Sequence, residues 1–187
     1  MTQISVHRIL PMAKRFLAQV VTAGDCVIDA TAGNGNETLY LANLVGETGC
    51  VYAFDIQQQA LAATAKKLGT LQQRVRLIQD GHENVGRYIT HPIRAATFNL
   101  GYLPYGTTSI TTKATTTIRA IDEILKSLQV GGIITLSVYE GHDDGAESQG
   151  LLAYVKTLRQ ADVHVARYEL LNQRNNAPYL LIIEKLR

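Results

Sequence analysis

The chain has 187 residues, of which 46% are hydrophobic and 18% charged, and its formal net charge is +2. That balance describes one globular domain over residues 1–187 with a full hydrophobic core, and it excludes a disordered or fibrous chain. No apolar run approaches the roughly 18–20 residues that span a bilayer. The small positive charge permits an anionic partner, although no dense basic run announces one.

The N-terminal stretch "MTQISVHRILPMAKRFLAQV" lacks a basic segment followed by a continuous apolar core. It reads as an amphipathic helix rather than a signal peptide, so the expected location is the cytoplasm. Ile9, Met12, Phe16, Leu17 and Val20 recur at helical spacing within residues 4–22. "CVIDA" is a short strand, residues 37–45 are helical, and "CVYAFDI" (50–56) is a second strand. "QQALAATAKKLGTL" contains good helix formers, with Gly69 as a stop signal. "RVRLIQD" (74–80) and "ATFNLGY" (96–102) follow as strands. Ile118, Ile121, Ile124, Leu125 and Leu128 make residues 114–129 an amphipathic helix, which Gly131-Gly132 ends before the strand "IITLSVY" (133–139). Leu151, Leu152, Val155 and Leu158 mark a last helix, and "VHVARYELL" and "YLLIIEKL" are the last two strands. Cys26 and Cys50 form no CxxC pair and have no neighbouring His at metal-ligand spacing. They are expected to be reduced, buried and inert.

Alternating strands and helices imply an α/β fold: a Rossmann-like, doubly wound, seven-stranded sheet, mainly parallel. The last two strands adjoin without a helix and close the sheet in an antiparallel β-hairpin. Ligands of such sheets sit beyond the C-terminal strand ends, where the strand order switches. The loops to read are therefore 29–37, 55–58, 80–83, 99–112 and 139–147.

"DATAGNGNET" carries Gly33 and Gly35, with Thr38 where a dinucleotide fingerprint has its third glycine, and no Lys-Ser or Lys-Thr completes a Walker loop. Asp29 at the strand end would repel a pyrophosphate and suits a cationic ligand such as the ammonium of a methionine moiety. The alternative is a turn or cap residue. Asn34 and Asn36 tolerate left-handed backbone and offer side-chain amides. Asp55 lies 22 residues after Gly33, near the interval of about 20 at which an acid takes ribose hydroxyls. Gln57 is within reach of the same sugar, and Asp55 is equally placed to cap the following helix. In "QDGHEN", Asp80 can accept from an exocyclic amine and His82 can flank an adenine ring.

"NLGYLPYG" lies where a transferable methyl would project. Asn99 can accept from a substrate amine, and Tyr102 and Tyr105 can stack on a base. The loop has no Cys, which disfavours methylation at pyrimidine C5 and favours transfer to nitrogen or oxygen. Asn99 and Tyr102 are the candidate catalytic residues. The acid-rich "YEGHDDGAESQG" (139–150) has only local oxygens, so no metal is expected there, and it reads as a polar loop over the substrate.

Together "DATAGNGNET", "AFDIQ", "GHEN", "NLGYLP", "YEGHDDGAE" and "NNAPYLLIIEK" resemble the class I S-adenosylmethionine-dependent methyltransferases. More narrowly, the chain resembles the bacterial family once labelled rRNA methylases and now associated with methylation of 5-aminomethyl-2-thiouridine at the tRNA wobble position. The resemblance implies S-adenosyl-L-methionine as cofactor and the tRNA anticodon region as partner, with no membrane. It implies that Asn34, Asn36, Asp55, Gln57, Asp80 and His82 contact the cofactor. It also implies that Tyr102, His142 and the Arg174–Asn176 loop face the nucleotide. Where that family reads "GYLPGGD" this chain has "GYLPYGT", and where it has paired prolines this chain has Ala177-Pro178. A homodimer would offer a tRNA stem a continuous basic surface. The alternatives are an rRNA or small-molecule N/O-methyltransferase, a non-catalytic cofactor-binding module, and a nucleotide-dependent oxidoreductase.

Overall fold

The computed structural model describes residues 6–101, 111–141, 143–174 and 177–187. Among the described residues, seven strands form one sheet: β1 (Cys26–Asp29), β2 (Cys50–Phe54), β3 (Val75–Ile78), β4 (Ile93–Asn99), β5 (Leu128–Val138), β6 (Val163–Tyr168) and β7 (Tyr179–Lys185). Their order is β3-β2-β1-β4-β5-β7-β6. The first five run parallel, and β7 pairs antiparallel with both β5 and β6. The architecture and the antiparallel closing pair are as the sequence pattern predicts. The strand order reverses between β1 and β4, which opens a crevice at their C-terminal ends.

Helices α1 (Ile9–Val20), α2 (Asn36–Leu44), α3 (Gln58–Leu68), α4 (Ala114–Ser127) and α5 (Ala146–Val155) cover the sheet. The parallel strands are buried on both faces, so their residues are almost continuously apolar instead of alternating. Each face has its own core. Val27, Val51, Ala53, Leu41 and Leu17 belong to the core under α1, α2 and α3. Ile28, Tyr52, Phe54, Phe98, Ile121 and Leu151 belong to the one under α4 and α5.

Several boundaries differ from the sequence reading. β4 begins at Ile93 and ends at Asn99 rather than spanning 96–102, so Gly101 already lies in the following loop. β5 starts at Leu128, and the two glycines do not precede the strand but lie inside its irregular entry. Ile93 pairs with Leu128 while Ala95 pairs with Ile133, so an extra stretch of β5 bulges out. Gly132 is needed there, because a Cβ would lie 2.7 Å from the Arg94 carbonyl oxygen. Two 3₁₀ segments, Gly69–Arg74 and His82–Arg87, have no periodic signal in the sequence.

The cysteines also require correction. Parallel pairing sets Cys26 opposite Cys50, with Cα atoms 4.6 Å apart, and the two form a disulfide. Neither is a solitary thiol. Strand register made the pair, and register between residues 24 apart is not written in local spacing.

Gly35 fixes how the first loop meets the second helical layer. Its φ is +76°, and a Cβ would come within 2.8 Å of the Thr64 Cα on α3. Gly35→Ala therefore combines left-handed strain with a backbone clash. It is expected to destabilise the fold by about 1–3 kcal/mol, read as a lower midpoint in chemical denaturation. An unchanged midpoint would show that α2 and α3 can separate freely.

Candidate active site

The crevice is a cleft of about 330 Å³ at the C-terminal ends of β1, β2, β3 and β4. Its floor is the turn between β1 and α2. The turn continues the sheet's hydrogen bonding past the strand ends: Ala30 N–H donates to the Thr97 carbonyl at 2.9 Å, and Ala32 N–H to that of Phe54 at 2.8 Å.

Asp55, just beyond β2, accepts from the Gly33 N–H at 2.9 Å through one oxygen and from the Gln57 N–H at 2.9 Å through the other. One carboxylate thus ties the β1 loop to the start of α3. Both the cap role and a ligand role are open to it, because an ionised carboxylate has about four acceptor positions. Gly33 is held from its other side, where its carbonyl accepts from the Thr64 hydroxyl at 3.1 Å.

Asp80 accepts from the Gly81 N–H, the Asn84 amide and the Tyr88 hydroxyl, at 2.8, 2.8 and 2.7 Å. The Tyr88 hydroxyl, more than the other two donors, holds its carboxyl below the usual range. His82 packs edge-on against Phe98, with centroids 5.5 Å apart. Its Nδ1 lies 3.2 Å from the Ala30 carbonyl, which can only accept, so Nδ1 carries the proton. Burial pushes the ring's pKa down, which keeps it neutral. Nε2 is therefore a bare acceptor, and it is buried without a partner.

Asn99 ends β4. Its N–H donates to the Thr31 hydroxyl at 2.8 Å, while its side-chain Oδ1 is buried and unpartnered. Thr111 Oγ1 is a third such atom on the cleft wall. Buried polar atoms normally find partners. Three orphans converging on one cleft identify positions for ligand donors.

Beside them, the Thr112 hydroxyl accepts from the Gly101 N–H at 2.8 Å and donates to Glu147 at 2.6 Å. Glu147, 1% exposed, also accepts from the Thr117 hydroxyl at 3.0 Å. Its own N–H donates to Asp143 at 2.7 Å. Residues 101 and 112 are thereby tied to each other and to α5.

Of the expected cofactor residues, Gly33, Asn34, Asn36, Asp55, Gln57, Asp80 and His82 line the cleft, as does Asn99. Asn36 also takes a hydrogen bond from Lys67. Gly35 is buried behind the loop and packs on α3. Asp29 is fully buried and absent from the wall. Its oxygens accept from the Thr31 N–H at 3.2 Å and the Thr38 hydroxyl at 2.6 Å, so it braces the turn. Arg174 is exposed in the β6–β7 connection, away from the cleft lining. Tyr102, Tyr105, His142 and Asn176 lie outside the described residues.

The sequence reading missed Glu37, Ile56, Thr112 and Lys113, all on the cleft wall. Glu37 follows the first residue of α2, so the helix start was its available signal. The acids on the described wall are Glu37, Asp55, Asp80 and Glu83, against one cation, Lys113. Such a wall repels a pyrophosphate and suits an adenosine whose other end is cationic, and the orphaned acceptors match a ligand rich in N–H and O–H donors. S-adenosylmethionine meets both requirements.

The family model described as "Putative rRNA methylase" matches residues 51–184. A chloroplastic tRNA (mnm5s2U34)-methyltransferase of Arabidopsis thaliana is 38% identical over 180 residues, covering 89% of this chain and 65% of that protein. The chain thus spans just under two thirds of that curated relative's length. A crystal structure described as an rRNA-methylase from Clostridium thermocellum superimposes with a TM-score of 0.96 at 45% identity, covering 98% of this chain and 100% of that one. A protein from Streptococcus mutans described as "a putative methyltransferase", solved in complex with SAH, gives 0.88 at 45% identity, covering 97% and 99%.

Burial, more than the nearby Glu37, raises the Asp29 carboxyl from its ordinary 3.8 to about 7. Between those values the native chain keeps a proton that the unfolded chain has released, so stability falls as pH rises. This contribution is full below about pH 4 and lost by about pH 7. Asp29→Asn removes it. The wild-type melting temperature, relative to that variant's, is expected to fall between pH 5 and pH 7 and then level off. A constant difference from pH 5 to pH 8 would contradict the assignment.

Proposed function

We propose that this chain, which belongs to the rRNA methylase family, transfers a methyl group from S-adenosylmethionine to the primary amine of 5-aminomethyl-2-thiouridine at a tRNA wobble position. The observation that carries the reading is the buried, unpartnered Asn99 Oδ1 at the switch point of the sheet. The name of the Arabidopsis relative supports the tRNA substrate, and the SAH complex of the Streptococcus protein supports the cofactor.

When bound, the cofactor supplies an electrophilic methyl on a sulfonium, so the protein's main contribution is alignment. Asp55 and Gln57 hold ribose hydroxyls, and Asp80 and the neutral His82 border the adenine. Glu37, rather than the inward-facing Asp29, presents a carboxylate to the cationic amino-acid end. An alkyl amine with a pKa near that of Lys, about 10.4, is mostly protonated at neutral pH. Asn99 Oδ1 accepts an N–H from the incoming amine and directs its lone pair. As a neutral acceptor it does not stabilise the ammonium form as a carboxylate would. The neutral amine nitrogen gains the methyl carbon as the carbon–sulfur bond breaks and S-adenosylhomocysteine leaves, and the resulting ammonium then releases a proton to solvent.

Asn99→Ala is expected to lower kcat about 100-fold, the scale of one lost transition-state contact, while the affinity for SAH stays unchanged. Loss of SAH affinity would place Asn99 in the cofactor site instead. The direct test incubates the protein and S-adenosylmethionine with tRNA carrying the aminomethyl group at the wobble position. The expected result is one methyl per tRNA at that nucleoside. Methylation of rRNA or of free metabolites, with none on this tRNA, would overturn the substrate assignment.

A further inference from the structure

The opposite end of the sheet carries a second cluster. Cys26 and Cys50 are the first residues of β1 and β2, whereas the cleft lies beyond their last residues. Parallel register places the two side by side. His91, on the connection leading to β4, brings a ring nitrogen to them. The two sulfurs and this nitrogen all lie within 4.8 Å of one another. The cysteines are half-buried and His91 is exposed.

We propose that the reduced protein binds a borderline-soft divalent cation of the zinc class through Cys26, Cys50 and His91. Two thiolates and an imidazole form a ligand set of the kind zinc takes, and three protein ligands leave a fourth position for water. The exposure of His91 gives solvent that position. Two thiolate charges balance the cation, and the imidazole remains neutral.

The surroundings fit a ligating histidine. Its Nδ1 lies 2.9 Å from the Tyr52 hydroxyl and 3.0 Å from that of Thr90. Ligating histidines usually donate their second ring nitrogen to an oxygen, which fixes ring and tautomer. With Nδ1–H given to Tyr52, Nε2 keeps a lone pair for a cation. Tyr52 is itself fully buried and fixed in the sheet.

The disulfide and the cation exclude each other, because each uses both sulfurs. A thiol reductant supplies two electrons and two protons to open the S–S bond into two thiols. The cation then displaces both protons as two metal–sulfur bonds form. Disulfides are uncommon in reducing compartments, and there this end of the sheet would hold metal.

The test uses the full chain, reduced with a phosphine and desalted without oxygen, titrated with Co2+ as a spectroscopic substitute for Zn2+. The expected result is saturation at one equivalent. It brings sulfur-to-cobalt charge-transfer absorption in the near ultraviolet, tetrahedral d–d bands, loss of two reactive thiols, and displacement by Zn2+. The disulfide form should show none of these. His91→Ala, at an exposed position, should still fold and should weaken binding at least about 10-fold, and Tyr52→Phe about 10-fold. Absence of charge-transfer bands in the reduced protein, or equal binding by His91→Ala, would overturn the proposal. This site stands or falls independently of the methyl-transfer reading.

Discussion

The carboxylate of Asp55 is the constraint on which the cleft depends. It accepts one backbone N–H from the β1 loop and another from the start of α3. Without it, the N–H groups of Gly33 in the β1 loop and Gln57 at the start of α3 would lose their acceptor, and a donor left unsatisfied away from water costs about 1–3 kcal/mol. Gly35, packed on Thr64, and Asp29, braced by Thr31 and Thr38, hold the same loop from behind. A rigid floor follows from backbone bonds. The remaining acceptor capacity of Asp55 and the orphaned atoms of His82, Asn99 and Thr111 are then available to a ligand.

A second support lies across the cleft. Glu147 gathers the hydroxyls of Thr112 and Thr117, and Thr112 in turn holds Gly101. The end of the β4 segment, the beginning of α4 and the beginning of α5 are thus joined through one buried acid. The side of the cleft nearest Asn99 is fixed by this network, and the opposite side is fixed by the Asp55 carboxylate. Alignment of two reacting partners needs both sides to be rigid.

Much of this could be read before any coordinates. Alternating apolar strands and amphipathic helices determine a parallel sheet, and residues at strand ends then fall at its C-terminal edge. Asp55, Asp80, His82 and Asn99 reach the cleft wall for that reason. Asp29 occupies the same kind of position yet points inward, because Thr38 on α2 offers it a buried hydroxyl. Nothing in local spacing distinguishes the two directions. Glu147 looked like one acid among several in a polar loop, and only the approach of α4 reveals its partners. The Cys26–Cys50 pair depends on register between strands separated by a whole helix. Local pattern therefore reported which residues end strands, whereas long-range packing decided which way they face.

The central claim is that the cleft is an adenosyl and amino-acid site organised by Asp55, not a dinucleotide site. Calorimetric titration of the protein with SAH and with NAD tests it directly. The account predicts saturable binding of SAH and none of NAD, with roughly 10–100-fold weaker SAH binding in Asp55→Ala, the scale of one or two lost charged hydrogen bonds. Binding of NAD, or SAH affinity unaffected by the Asp55→Ala substitution, would contradict it.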